Sequence, residues 1–212
     1  MLDFDISDEE IQLGTYILSN NKSPGYDSIS NEMISCLMTV KPEIVKKLFN
    51  NILQHPVKIE RWSTSLIFPL HKKGSKMDPN NYRGISLLSC FSKIFLAILN
   101  QRLTKFTIDN KILSSGQLGF VKECRTSDAL LILYNLIDYY CGKLKKNIFG
   151  CFIDFSKAFD TVPREKLFQK LLNNNINGKF YDCLVNVYTE DNSCIKIGDN
   201  ITKKFTSNQG VK

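Results

Sequence analysis

Neither a metal-binding cysteine pattern nor a long apolar run occurs in this 212-residue sequence. The seven cysteines, at positions 36, 90, 124, 141, 151, 183 and 194, are odd in number and scattered, without a Cys-x-x-Cys pair or Cys/His ligand spacing. That argues against a disulfide framework and against structural zinc, and most of them are expected to be reduced and buried. The two histidines, His55 and His71, lack ligand-like companions and are expected at the surface. No apolar run approaches the roughly 18 to 20 residues that span a bilayer. The N-terminus is acidic where a signal peptide would be basic. The expected setting is therefore intracellular, cytoplasm or nucleus, with no membrane partner. Internal repeats, low-complexity tracts and linkers are also missing.

What is present is the composition of a globular protein with a real core, 43% hydrophobic and 23% charged. The net charge of +7 is unevenly spread. Residues 1–60 carry 5 Lys and Arg against 9 Asp and Glu, residues 61–125 carry 11 against 3, and residues 126–212 carry 12 against 9. A basic middle third is either a solvated surface or a polyanion-binding face.

Local patterns predict a succession of elements. Ser7 and Glu10 have capping-box spacing ahead of Ile11, Ile17 and Leu18, and Asn20 to Asp27 breaks that helix. A short helix is predicted from about Ser30 to Met38. Another starts near Pro42, with Ile44, Leu48 and Ile52 on one face. Ser65 to Phe68 reads as a strand, His71 to Asn81 as a polar, basic loop, and Ile85 as a return to the core. Helical stripes follow at Phe91, Ile94, Phe95, Ile98 and Leu99, and at Leu130, Leu131, Tyr134 and Ile137, with Gly142 as a helix end. Ile148 to Phe155 is apolar enough for a buried central strand. Pro163 opens a further helix with Leu167, Leu171 and Leu172 inward. Cys194 to Ile197 and Ile201 to Thr206 read as a hairpin turned at Gly198-Asp199-Asn200.

The sharpest chemical feature is Asp154, within Phe152-Ile153-Asp154-Phe155-Ser156-Lys157-Ala158-Phe159-Asp160. A carboxylate at the end of so apolar a strand needs a compensating partner, and a cation is the cheapest. Taken alone, Asp154 also suits a turn cap or a pair with Lys. The segment closely resembles the first palm block of reverse transcriptases of the non-LTR retrotransposon, long interspersed element type. Other blocks agree in order. Lys22-Ser23-Pro24-Gly25-Tyr26-Asp27 resembles a fingers block, with Tyr26 and Ser28 departing from its commonest form. Trp62 through Pro69, Lys72-Lys73-Gly74 and Asn81-Tyr82-Arg83-Gly84-Ile85-Ser86-Leu87 resemble the second block, with Gly84 where Pro is common. Gln117-Leu118-Gly119-Phe120 and Asn208-Gln209-Gly210-Val211 resemble the next two.

The resemblance implies RNA-directed DNA synthesis by two-metal nucleotidyl transfer in a full-length parent, using Mg²⁺, an RNA template, a DNA primer and deoxynucleoside triphosphates. In it, Asp154 would be the catalytic carboxylate bridging both ions, and the Phe155 carbonyl a further ligand. Lys72 or Lys73 and Arg83 would meet the triphosphate, Phe159 would lie beneath the sugar, and Gln209 would pack beside the nucleotide. Without the resemblance, the basic residues suit a surface and Phe159 a core. Asp160 is expected to anchor or cap the next helix rather than to bind metal.

The fold implied is α+β, right-hand polymerase fingers plus an incomplete palm. Residues 1–147 would be the fingers with the basic strand-loop, and residues 148–212 the N-terminal part of the palm. The family's aromatic-x-Asp-Asp hairpin has no counterpart, because no Asp-Asp dipeptide occurs. The chain as it stands is thus expected to be inactive, with unpaired palm edges that favour self-association. The competing expectation is a catalytically dead retroelement remnant that only binds nucleic acid or protein.

Overall fold

The Ser7 hydroxyl accepts from the Glu10 N–H at 3.2 Å, and the Glu10 carboxylate accepts from the Ser7 N–H at 2.9 Å. This reciprocal cap opens α1 (Asp8–Thr15), as the spacing predicts. The computed structural model describes residues 2–189 and 191–211. Ile17 and Leu18 fall beyond the end of α1. The Ser30 hydroxyl caps α2 (Asn31–Val40), and Pro42 sits in the first turn of α3 (Pro42–Gln54), where its missing N–H costs nothing. The buried face of α3 is Val45, Phe49, Ile52 and Leu53; Ile44, expected inward, is exposed. Then come α4 (Glu60–Ser63), α5 (Cys90–Asp109), α6 (Thr126–Ile137), a wider helical turn over Asp138–Lys143 containing Gly142, α7 (Arg164–Asn173) and α8 (Gly178–Tyr188).

The sheet is small and mixed, so the architecture is a mixed helix-and-sheet fold compatible with α+β. Its first strand, β1 (Thr64–His71), includes the expected Ser65 to Phe68. It pairs antiparallel with β2 (Tyr82–Leu87), Leu66 opposite Leu87 and His71 opposite Tyr82. On its other side it pairs parallel with β3 (Asn192–Ile197), Leu66 opposite Cys194. The tight strands β4 (Asn200–Ile201) and β5 (Phe205–Thr206) both run antiparallel to β3, and the expected hairpin turns through Gly198 at φ +61°. Ile85 does not return to the core; it lies on β2 and is exposed.

The chain divides into two units, residues 1–106 with 157–212, and residues 107–156. The core of the first unit gathers Ile11, Ile34, Phe49, Ile94, Ile98 and Phe180 from five helices. The α5 stripe is buried as expected at Ile94, Phe95, Ile98 and Leu99. Trp62 and Phe95 pack at 5.9 Å between ring centroids, and Phe49 and Phe95 at 5.5 Å. Leu171 packs against this core, whereas Leu172 is exposed. Of the seven free cysteines only Cys90, Cys183 and Cys194 are buried, fewer than expected; burial pushes the Cys183 thiol up to about 12.

The second unit contains no buried residue. Its α6 forms where the periodicity predicts it, but the stripe of Leu130, Leu131, Tyr134 and Ile137 is exposed. Nor is Ile148 to Phe155 the buried central strand expected. It is non-helical, joins no ladder, and leaves Phe152 87% and Ile153 79% exposed. An apolar run becomes a strand only where neighbouring backbone accepts and donates its hydrogen bonds. The strands present pair among themselves in the order β2-β1-β3-β4, with β5 on β3.

Gly25 shows why one of the quoted blocks has its sequence. A Cβ there would lie 2.5 Å from the Leu88 carbonyl carbon and 2.6 Å from the Ser89 nitrogen, both backbone atoms. Two residues on, the Asp27 carboxylate accepts from the Ser89 hydroxyl at 2.6 Å. Pro-Gly-Tyr-Asp is thus pressed against the segment that leads into α5. Gly25→Ala is expected to destabilise the chain by about 1–3 kcal/mol through overpacking. A urea midpoint equal to that of the wild type would contradict the close approach.

Candidate functional site

The basic loop between β1 and β2 is ordered by its own hydrogen bonds. The Lys72 N–H donates to the Asn81 carbonyl at 2.8 Å, the Asn81 side chain donates to the Ser75 carbonyl at 2.9 Å, and the Tyr82 hydroxyl donates to the Lys76 carbonyl at 2.9 Å. Gly74 turns the chain at φ +84°. Lys72, Lys73 and Lys76 are therefore exposed on a fixed loop. Arg83, on β2, is exposed and stands opposite Leu70. Strand alternation puts Arg83 on the face of Leu66 and Phe68, and Ile67 and Ser86 on the other.

On that other face a cleft of about 230 Å³ is lined by Ile67, Ser86, Asp160, Arg164 and Gln209, among others. Two of its walls come from expected site segments. The Val211 N–H donates to the Phe159 carbonyl at 2.8 Å, and the Gly210 N–H to the Val162 carbonyl at 2.9 Å. Gly210 is buried at φ +86°, and a Cβ on it would meet the Asp160 carbonyl oxygen at 2.9 Å. Only glycine tolerates both conditions. The short helical turn Ala158–Thr161 bearing Phe159 and the strap bearing Gln209 are thus bonded together, with Phe159 and Gln209 exposed. Asp160 lines the cleft but does not cap the next helix: Pro163 precedes α7 and no side chain caps it.

Arg164, which sequence reasoning missed, is the most heavily bonded side chain here. It is buried, and its guanidinium reaches the carbonyls of Tyr188, Ser207, Gln209 and Gly210 at 2.8 to 3.2 Å. It also pairs with the Asp191 carboxylate at 2.7 Å. A sequence signal existed. An arginine in the first turn of a helix opposes the helix dipole, so its side chain needs other work.

Asp154 and Phe155 belong to the other unit, both exposed and outside any strand. Among the described residues, no group of three or more His, Cys, Asp or Glu side chains could hold a metal ion. The donor set of the described residues does not fit a two-ion centre.

Over residues 70–212 the sequence matches the family profile described as reverse transcriptase (RNA-dependent DNA polymerase). The chain belongs to the reverse transcriptase family. Among curated relatives of this reverse transcriptase chain, a probable RNA-directed DNA polymerase from transposon BS of Drosophila melanogaster is 29% identical over 165 residues, 77% of the chain and 18% of the relative. A probable RNA-directed DNA polymerase from transposon X-element of the same organism is 30% identical over 146 residues, 68% of the chain and 16% of the relative. An uncharacterized 149 kDa protein of transposon TX1 from Xenopus laevis is 24% identical over 214 residues, the whole chain and 16% of the relative. The reverse transcriptase chain spans less than a fifth of the length of these relatives. The non-LTR retrotransposon kind expected from the order of its blocks is the kind found. Among the described residues, no helix is long and apolar enough to cross a membrane.

Proposed function

We propose that the chain is the fingers and first palm portion of a non-LTR retrotransposon reverse transcriptase, whose complete protein copies an RNA template into DNA from a primer. Residues 1–147 correspond in this reading to fingers and residues 148–212 to the start of the palm. Gln209 packs beside the incoming deoxynucleotide and Phe159 lies beneath its sugar, where a ribose 2′-hydroxyl would collide. Lys72 or Lys73 and Arg83 meet the triphosphate, the first as a point charge and the second as a planar fork of donors. Asp154, with the Phe155 carbonyl, would help to hold the Mg²⁺ that reverse transcriptases use.

The observation that carries this reading is the bonded pairing of the Phe159 turn with the Gln209 strap beside a polar cleft, inside the stretch that matches the family. The ordered basic loop supports it, because three lysines on a fixed loop suit a phosphate backbone better than a solvated tail would.

The test is RNA binding by fluorescence anisotropy across a salt series. Each phosphate neutralised on a single strand adds roughly 0.7 to the salt slope, so replacing Lys72, Lys73 and Arg83 together by Ala should flatten it by about 2 and weaken binding. Unchanged affinity and slope in the triple variant would remove these residues from the nucleic-acid face.

A further inference from the structure

Gln209 stands on a strap, residues 207–211, that has little apolar anchorage of its own: Gln209 is exposed, Gly210 has no side chain and Val211 is only half-buried. What holds the strap is polar. The Ser207 N–H donates to the Asp191 carbonyl at 2.9 Å, and the Ser207 hydroxyl to the Gln209 carbonyl at 2.8 Å. The Gly210 and Val211 N–H groups tie it to the Val162 and Phe159 carbonyls, and the remaining ties converge on one side chain. Arg164 donates from Nε to the Gly210 carbonyl at 2.8 Å and from one terminal nitrogen to the Ser207 and Tyr188 carbonyls at 2.8 and 2.9 Å. From the other it donates to the Gln209 carbonyl at 3.2 Å and to Asp191 Oδ2 at 2.7 Å. A guanidinium has five N–H donors, and these bonds use all of them. It also lies over the Tyr188 ring, 5.2 Å from the centroid, so its plane is fixed as well.

We infer that Arg164 is a positioning residue that clamps the Ser207–Val211 strap and thereby presents Gln209 and the adjoining Phe159 turn to the incoming nucleotide. The inference rests on the reading that Gln209 meets that nucleotide. The chemistry explains why arginine is used. Three strap carbonyls point at one place, and an acceptor-only cradle of that kind needs several donors in a rigid fork. Lysine carries the same charge but gathers its three donors on one atom and cannot reach the cradle at both ends. Asp191 keeps the buried charge compensated, so the clamp is neutral overall.

Amide hydrogen exchange on the purified chain tests this, read at Gly210 and Val211 against Phe95 and Ile98 in the α5 core. In Arg164→Lys, exchange at the two strap amides should quicken on the order of tenfold while the core amides keep their rates. A role limited to balancing the Asp191 charge would be rescued by Lys, so unchanged strap protection overturns the clamp. So does a parallel rise at strap and core, which marks a purely structural residue. Should Arg164→Lys fail to fold, Arg164→Gln with Asp191→Asn removes the ion pair as a pair, leaves no unpaired buried charge, and should give the same selective loss. Repeating the exchange with dTTP separates the two levels. Slowing at the strap of the wild type, absent in the variants, supports the presentation of Gln209. No dTTP effect on the wild type overturns the nucleotide reading and the presenting role with it, while the ligand-free comparison still decides the clamp.

Discussion

Primer extension by the 212-residue chain on an RNA template is expected to stay at background with Mg²⁺ present. Nucleotide addition is a phosphoryl transfer whose developing charge two divalent ions held by carboxylates would stabilise. Two ions need several carboxylates converging on one place. Among the described residues no such group of ligands exists, and Asp154 is exposed on a segment outside the sheet. Charge stabilisation by the ions is worth several kcal/mol. With a factor of ten in rate for each ~1.4 kcal/mol, its loss alone lowers turnover by roughly a thousandfold or more. The measurement is single-turnover extension of a labelled primer, with Asp154→Asn as control. Mg²⁺-dependent extension by the wild type that Asp154→Asn abolishes would show that the ions find a complete set of donors after all.

Arg102→Met is expected to cost about 3–5 kcal/mol of stability, because it leaves a half-buried carboxylate and three carbonyls without their donor. Arg102 is 6% exposed on α5. It grips Glu10 with two hydrogen bonds, at 2.6 and 2.7 Å, and donates to the carbonyls of Leu2, Phe4 and Asp5 at 2.8, 2.6 and 3.1 Å. The N-terminal segment is thereby fastened to the longest helix. Burial alone would raise the Glu10 carboxyl, but the Arg102 hydrogen bonds and the Ser7 N–H outweigh it and hold the carboxyl below its ordinary range. A carboxyl depressed in the folded state adds stability above its unfolded value, about 4.3, and loses it as the pH falls through the lower folded value. Urea unfolding should therefore show the wild type losing more stability below about pH 4.3 than Glu10→Gln does. A cost below about 1 kcal/mol for Arg102→Met would reduce this contact to a surface ion pair.

The two arginine clamps show where reading a sequence stops. Arg102 falls at the next position of the buried stripe formed by Ile94, Phe95, Ile98 and Leu99, so a charge on an apolar face was visible in the chain. Its partners were not, since Leu2 and Phe4 offer backbone carbonyls that carry no side-chain signature. The same holds for Arg164 and the strap. Of the candidate site, the Phe159 turn and the Gln209 strap were named from the sequence, and their joining came from backbone bonds alone.

What the sequence by itself determined is what depends on neighbours along the chain, and the family. The capping box at Ser7 and Glu10, the start of α3 at Pro42, the α5 and α6 stripes and the hairpin at Gly198 all follow from interactions within a few residues. The ordered blocks from Lys22 to Val211 identified the reverse transcriptase family in the same way. Tertiary structure alone decided the parallel pairing of Leu66 with Cys194, the exposed stripe of α6 and the non-helical, unpaired course of Ile148 to Phe155. Periodicity says which residues seek burial, whereas a strand or a buried face exists only where distant backbone and side chains meet it.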